Sequence, residues 1–163
     1  MSVPREIEVI DSHTEGVPTR VVIAGWPQPA GATMTERRET MRRTQDSLRS
    51  GVVREPRGHD AIVGALLTPP VSHDADAGVV FFNDVGYLGM CGHGLIGVVR
   101  TLEFLGRIDT GVVKIDTRAG LVTAELAAGG EVSVENVPAY CHRSDVEVEV
   151  PGAGRVRGDV AYG

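Results

Sequence analysis

The chain has 163 residues, 42% of them hydrophobic and 23% charged, with a formal net charge of -6. That is enough for one soluble domain with a sizeable core. Without a long basic run it points away from nucleic acid and anionic lipid, and no apolar stretch is long enough to span a bilayer. Arg5, Glu6 and Glu8 stand where a secretory segment would be apolar, so a cytoplasmic location is expected. Two cysteines, Cys91 and Cys141, are too few for a disulfide framework and lack the paired spacing of a zinc set, so no metal is expected.

In chain order, residues 7–10 and 19–24 are short β-branched runs separated by a polar stretch, which predicts strand, loop, strand. Asp11, Ser12, His13 and Thr14 in that loop can bond a ligand or each other. After a Gly- and Pro-rich loop at 25–31, Thr35 is expected to cap a helix running to about Ser50. Met34, Met41 and Leu48 recur every seven residues, a narrow packing seam. Arg37, Arg38, Arg42 and Arg43 interleave with Glu36, Glu39 and Asp46 and read as a solvated face. Residues 55–60 read as a loop, 61–67 and 78–83 as buried strands. His59 and Asp60, in a turn before a strand, read as a capping device rather than an acid–base pair.

Leu95, Val98, Val99, Leu102 and Leu105 recur at helical spacing, with Gly106 as a C-terminal stop. The pattern then alternates: 112–117, 121–126, 131–137 and 146–150 are expected strands, with a hairpin turn at Ala128-Gly129-Gly130. Their alternate glutamates mark a solvated face. Cys141 falls in an expected connection between strands, and another strand is expected to begin at Gly158.

The most informative run is 86–100, because it puts Cys91 at or just before the first turn of the helix. A helix N-terminus leaves backbone N–H groups without partners and carries the positive end of the dipole, which favours thiolate over thiol. Gly92 and Gly94 flank His93 without side chains, so a carboxylate could approach the same N–H groups. The alternative is a buried structural cysteine beside a glycine-rich turn.

Residues 83–100, centred on Met90-Cys91-Gly92-His93-Gly94, resemble the proline racemase and hydroxyproline epimerase family. Asp11-Ser12-His13-Thr14 with Pro18-Thr19-Arg20 looks like that family's opening signature. Glu55-Pro56-Arg57-Gly58-His59-Asp60, followed by 63–67, looks like its next one. The resemblance covers essentially the whole chain but only about the amino-terminal half of a typical member. Where the family ordinarily has glycine and glutamate, this chain has Glu15 and Val17.

The resemblance implies an α/β fold of the α+β type, one half of a diaminopimelate epimerase-like, proline racemase-like pair, with a curved, mostly antiparallel sheet around a central helix. It also implies cofactor-independent isomerase chemistry, in which one thiol takes the Cα proton and a second, on the opposite face, delivers one. Cys91 matches the first thiol. Gly92, His93 and Gly94 match the carboxylate-binding turn, and Val63 and Leu88 are expected to line the substrate pocket. Val63 and Gly94 lean toward 4-hydroxyproline 2-epimerase over proline racemase or a trans-3-hydroxyproline dehydratase relative. The second thiol has no counterpart: no Asp-x-x-x-Cys-Gly pattern occurs. The expected explanations are a fragment lacking the second domain, a degraded gene product, or a half-length chain that pairs with another copy. The expected partner is a small molecule, proline or hydroxyproline. The readings from other classes are an inactive binding module on the same scaffold and, on Cys91 with His93, a cysteine hydrolase.

Overall fold

The computed structural model describes residues 6–136 and 138–162. Seven strands lie side by side in chain order: β1 (Glu8–Thr14), β2 (Val17–Ala24), β3 (Val63–Thr68), β4 (Ala77–Phe82), β5 (Gly111–Thr117), β6 (Gly120–Leu126) and β7 (Val132–Glu135). All neighbours are antiparallel except β2–β3 and β4–β5. Parallel neighbours need a crossover. Helices α1 (Met34–Thr44) and α2 (Asp46–Val53) provide the first, and α3 (Gly92–Phe104) the second. A separate antiparallel ribbon joins β8 (Tyr140–Val150) to β9 (Gly154–Tyr162).

Helix α3 touches β2 and β3 and also both edge strands, β1 and β7, so the sheet curls around it. This is the expected curved, mostly antiparallel sheet on a central helix. The concave face packs Val21, Ala65, Leu67, Val79 and Phe81 against Leu95, Val98 and Leu102 of α3. The convex face packs the alternate residues Val22, Leu66, Val80 and Phe82 under Trp26, Met34, Met41 and Val53. Burial on both faces is why β3 and β4 read as continuous apolar runs. Helix α3 ends as its sequence suggested: Gly106 has φ 65°, its N–H donates to Glu103 O, and Arg107 N–H donates to Leu102 O.

Six expectations need correction. The polar stretch after Ile10 is strand: β1 runs on to Thr14 and pairs with β2 through the two-residue turn Glu15-Gly16. The expected single helix is two, and its cap is Thr33, whose Oγ1 accepts from Glu36 N–H at 3.1 Å while Glu36 returns a bond from Ala32 N–H. The break falls at Gln45, whose buried side chain accepts from Trp26 Nε1 at 2.8 Å and donates to Pro27 O, contacts made across the fold. Of the arginines read as solvated, Arg42 and Arg43 are, but Arg37 donates to Gly31 O, Thr68 Oγ1 and Pro69 O. Cys141 lies within β8, not in a connection. The strand expected at 131–137 is Val132–Glu135, and Val137 lies outside the described residues. The strand expected to begin at Gly158 starts at Gly154 instead.

The ribbon is two-sided. Val146, Val148, Val150 and Val156 occupy one set of alternating positions, while Glu147 and Glu149 pair with Arg155 and Arg157 on the other.

Both turn residues between β1 and β2 have positive φ, 49° at Glu15 and 89° at Gly16, the geometry of a type I′ hairpin. A side chain is disfavoured there. Glu15→Gly is expected to stabilise the chain by up to about 1 kcal/mol, read as a raised midpoint in urea unfolding.

Asp116 on β5 is buried and accepts three bonds of 2.7 Å, from Val71 N–H, Ser72 N–H and the Ser72 hydroxyl. Burial pushes its carboxyl up, but the Ser72 and Val71 bonds, with Arg37, outweigh that and hold it below the usual carboxylate range. A lowered folded value contributes stability above the unfolded value, and that contribution disappears as pH falls through the folded one. Asp116→Asn is expected to cost about 1–3 kcal/mol at pH 7, with the deficit shrinking below pH of about 4. Urea unfolding at pH 7 and pH 3 measures both.

Candidate active site

The chain leaves β4 at Phe82, arches through residues 83–90 and enters α3 with Cys91 as the N-cap residue. The arch is closed by its own polar groups: Asn83 Oδ1 accepts from Val85 N–H at 3.0 Å and Gly86 N–H at 2.8 Å, and Asn83 N–H donates to Gly86 O. Leu88 N–H returns to Phe81 O at 2.9 Å. Cys91 is extended at φ -146° and ψ 112°, and its carbonyl accepts the first helical bond from Leu95 N–H at 2.8 Å. The N–H groups of Gly92, His93 and Gly94 are therefore the first-turn donors that have no intrahelical acceptor.

The two glycines differ. A Cβ on Gly92 would meet nothing within 4 Å, so this side of the turn is open. A Cβ on Gly94 would lie 3.0 Å from Phe81 Cε1 and 3.2 Å from Cys91 Sγ. A side chain at position 94 would crowd Phe81 and the thiol, whereas the space at position 92 is open, so the two glycines sit in different surroundings.

Cys91 Sγ lies 3.5 Å from His93 Nδ1, and His93 Nε2 is buried with no hydrogen-bond partner among the described residues. Thr14 Oγ1 donates to His93 O at 3.2 Å, fixing the turn against the end of β1. The expectation of a thiolate-biased sulfur is corrected. Cys91 is half-buried, and burial pushes its thiol up from the usual value, with only the Gly94 N–H pulling the other way. Desolvation of the charged form outweighs that single backbone bond.

The polar signatures upstream bond mainly to one another. Arg20 forms a two-bond pair with Asp11, at 2.8 and 2.7 Å, and reaches across to Val52 O and Arg57 O. It ties the first hairpin to the loop after α2. His13 Nδ1 accepts from Gly16 N–H, and His59 Nδ1 accepts from Ala61 N–H, the turn role expected for His59. Ser12 and Thr14 face α3 instead: Ser12 Oγ and Thr19 lie where a Cβ on Gly97 would be, at 3.0 and 2.9 Å.

Residues 9–163 match the proline racemase family. The chain belongs to that family. A 4-hydroxyproline epimerase from Burkholderia cenocepacia (strain HI2424) is 55% identical over 159 residues, covering 98% of this chain and 51% of that protein. A 4-hydroxyproline 2-epimerase from Xanthomonas campestris pv. campestris is 57% identical over 157 residues, covering 96% and 50%. Among solved structures, a hydroxyproline epimerase from Agrobacterium vitis with bound trans-4-hydroxy-L-proline superposes with a TM-score of 0.88 at 29% identity, over 96% of this chain and 48% of that one. A probable proline racemase from Agrobacterium radiobacter K84 with bound carbonate also gives 0.88, at 32% identity, over 96% and 49%. The chain spans about half the length of the relatives it matches.

In this proline racemase family chain, Cys91, Gly92, His93 and Gly94 are contiguous at the start of α3. Val63, at the start of β3, and Leu88, in the arch, are both half-buried, and with Met90 and Cys91 they pack against the concave core. Among the described residues, no three His, Cys, Asp or Glu side chains gather as a metal-binding group, and no helix is long and apolar enough to cross a membrane. Sequence reasoning placed Thr14 among polar loop residues but missed its bond to His93 O, which joins partners 79 residues apart and leaves no local signal. Gly94→Ala is expected to destabilise the chain by about 1–3 kcal/mol, whereas Gly92→Ala should change stability by less than about 0.5 kcal/mol. Thermal unfolding of the two variants makes the comparison.

Proposed function

We propose that this chain supplies one face of the proton-transfer site of a 4-hydroxyproline 2-epimerase, interconverting trans-4-hydroxy-L-proline and cis-4-hydroxy-D-proline without a cofactor. The observation that carries this reading is the half-buried Cys91 thiol at the N-terminus of α3, beside an open turn at Gly92. The named activities of relatives 55% and 57% identical support the choice of substrate.

The substrate carboxylate would accept hydrogen bonds from the first-turn N–H groups of Gly92, His93 and Gly94. When the Cα–H bond breaks, its electron pair moves onto that carboxylate as an enediolate, and fixed N–H donors stabilise the added charge without reorganising. Inversion requires the proton to leave one face of the planar carbon and return to the other. Two groups are therefore needed, one protonated and one ionised at the start of each turnover. A desolvated Cys91 is the protonated member: it hands its S–H proton to Cα after a base on the opposite face has taken the first proton, and in the reverse direction its thiolate does the taking. The Nδ1 of His93, at 3.5 Å, is placed to hydrogen-bond the sulfur in either state. The opposite base comes from outside this chain, either from sequence corresponding to the other half of the longer relatives or from a second copy. Val63 and Leu88 would border the ring of the substrate, with residues 1–163 as the amino-terminal unit of the fold.

Proton NMR of trans-4-hydroxy-L-proline in D2O tests this, with Cys91→Ala as the control. Loss of the Cα–H signal with appearance of the cis-D epimer, the inversion being abolished in Cys91→Ala, is the expected result for the chain supplied with the opposite base. Formation of the cis-D epimer that persists in Cys91→Ala would overturn the assignment.

A further inference from the structure

Three arginines that the chemistry above does not use converge on the arch leading to Cys91. Arg49 NH1 donates to Asn83 O at 2.6 Å and Asp84 O at 2.9 Å. Arg54 donates twice more to Asp84 O, through Nε at 2.9 Å and NH2 at 2.6 Å. Arg38 NH2 donates to Tyr87 O at 3.4 Å. The guanidinium carbons of Arg38 and Arg49 lie 5.9 and 5.8 Å from the Tyr87 ring centre, so two cations lie against the ring of the arch. Arg49 is 3% exposed, and its other edge is occupied by Asp46, with bonds of 2.7 Å to Nε and 3.0 Å to NH2.

A loop carbonyl turned away from the sheet normally finds water, and water does not fix a direction. Here the carbonyls of Asn83, Asp84 and Tyr87 are bound by charged donors on α1 and α2, which lie on the convex layer. The planar fork of Arg49 is what makes this possible, because one guanidinium can bind a carboxylate along one edge and two carbonyls with the remaining nitrogen. Only three residues separate Tyr87 from Cys91, and Leu88 is already fixed to Phe81. The direction in which the chain enters α3 is thus set from the opposite side of the sheet.

We propose that Arg49, oriented by Asp46 and assisted by Arg54 and Arg38, is a positioning residue for the Cys91 turn. It touches neither the sulfur nor the first-turn N–H groups, and acts through the arch. The proposal rests on Cys91 being the acid–base thiol, and its test reads that thiol directly, so a chain that epimerises nothing still answers it.

The test is the pH dependence of Cys91 alkylation by iodoacetamide, followed by mass spectrometry in the Cys141→Ser background. Loosening the arch admits water to the half-buried sulfur, which lets thiolate form at lower pH. In Arg49→Met and Arg54→Met, the midpoint of the rate profile is expected to move down, with alkylation at pH 7.5 faster by about threefold or more. Arg37→Met is the control: it removes an arginine that also binds backbone carbonyls, Gly31 O and Pro69 O, but away from the arch. It should lower the melting temperature and leave the Cys91 profile in place. Arg49→Lys, which keeps the charge without the fork, should behave like Arg49→Met. Should Arg49→Met fail to fold, Arg54→Met decides alone, since it loses only surface bonds to Asp84 O. An unchanged profile in the folded variants, or an equal shift in Arg37→Met, overturns the proposal.

Discussion

The close approach of α3 to the first hairpin is the contact on which the rest depends. At Gly97 the helix comes so near β1 and β2 that a Cβ would lie 2.9 Å from Thr19 and 3.0 Å from Ser12. Only a residue without a side chain permits it. The sheet can then curl until both of its edge strands reach the helix, which buries Leu95, Val98, Val99 and Leu102 on one continuous core. A helix held on so many sides has little freedom to slide, and its N-terminus is fixed in space before any polar interaction is counted. The Thr14 bond to His93 O then sets the last detail, the direction of the first-turn amides.

The polar side chains of the first hairpin divide by strand periodicity. On β1, Ser12 and Thr14 point toward α3, while Asp11 and His13 serve the opposite side, one gripping Arg20 and the other closing the hairpin turn. Arg20 extends the grip to the carbonyls of Val52 and Arg57. Residues that look in sequence like a ligand-binding loop are thus used largely to join α2, the loop before β3 and the first hairpin. The acid–base role proposed above falls to the short turn at 91–94.

The parts of the fold that were legible in the sequence are those whose cause is local. The start of α3 at Cys91 follows from an apolar run, a glycine-rich turn and helical spacing, and its stop follows from Gly106. The strands around the Ala128-Gly129-Gly130 turn follow from alternation. What was misread has its cause elsewhere in the chain. Asp11 to Thr14 look like loop chemistry because their partners, Arg20 and α3, lie well away in sequence. Gln45 breaks a helix without glycine or proline because Trp26 and Pro27 hold its amide. Arg37 and Arg38 look solvated because the carbonyls they bind belong to other parts of the chain. The ionisation of Cys91 was misjudged for the same reason: helix position can be read from sequence, but burial against a core assembled from seven strands cannot.

Strands β3 and β4 separate two cores and belong to both. Gly64 stands directly across from Phe82, whose ring fills the space a side chain would take, with a Cβ there only 2.1 Å from Cε2. That ring packs on Trp26 and Tyr87 in the convex layer, while its neighbour Phe81 supports Gly94 beneath the thiol. The two layers therefore cannot drift apart in evolution as independent modules. A change of volume at Trp26 or Tyr87 is felt through consecutive residues of one strand at the cysteine on the other side. Substitutions in the helical layer should be tolerated in combinations rather than singly, with the permitted residue at one position set by what already occupies its counterpart across the sheet.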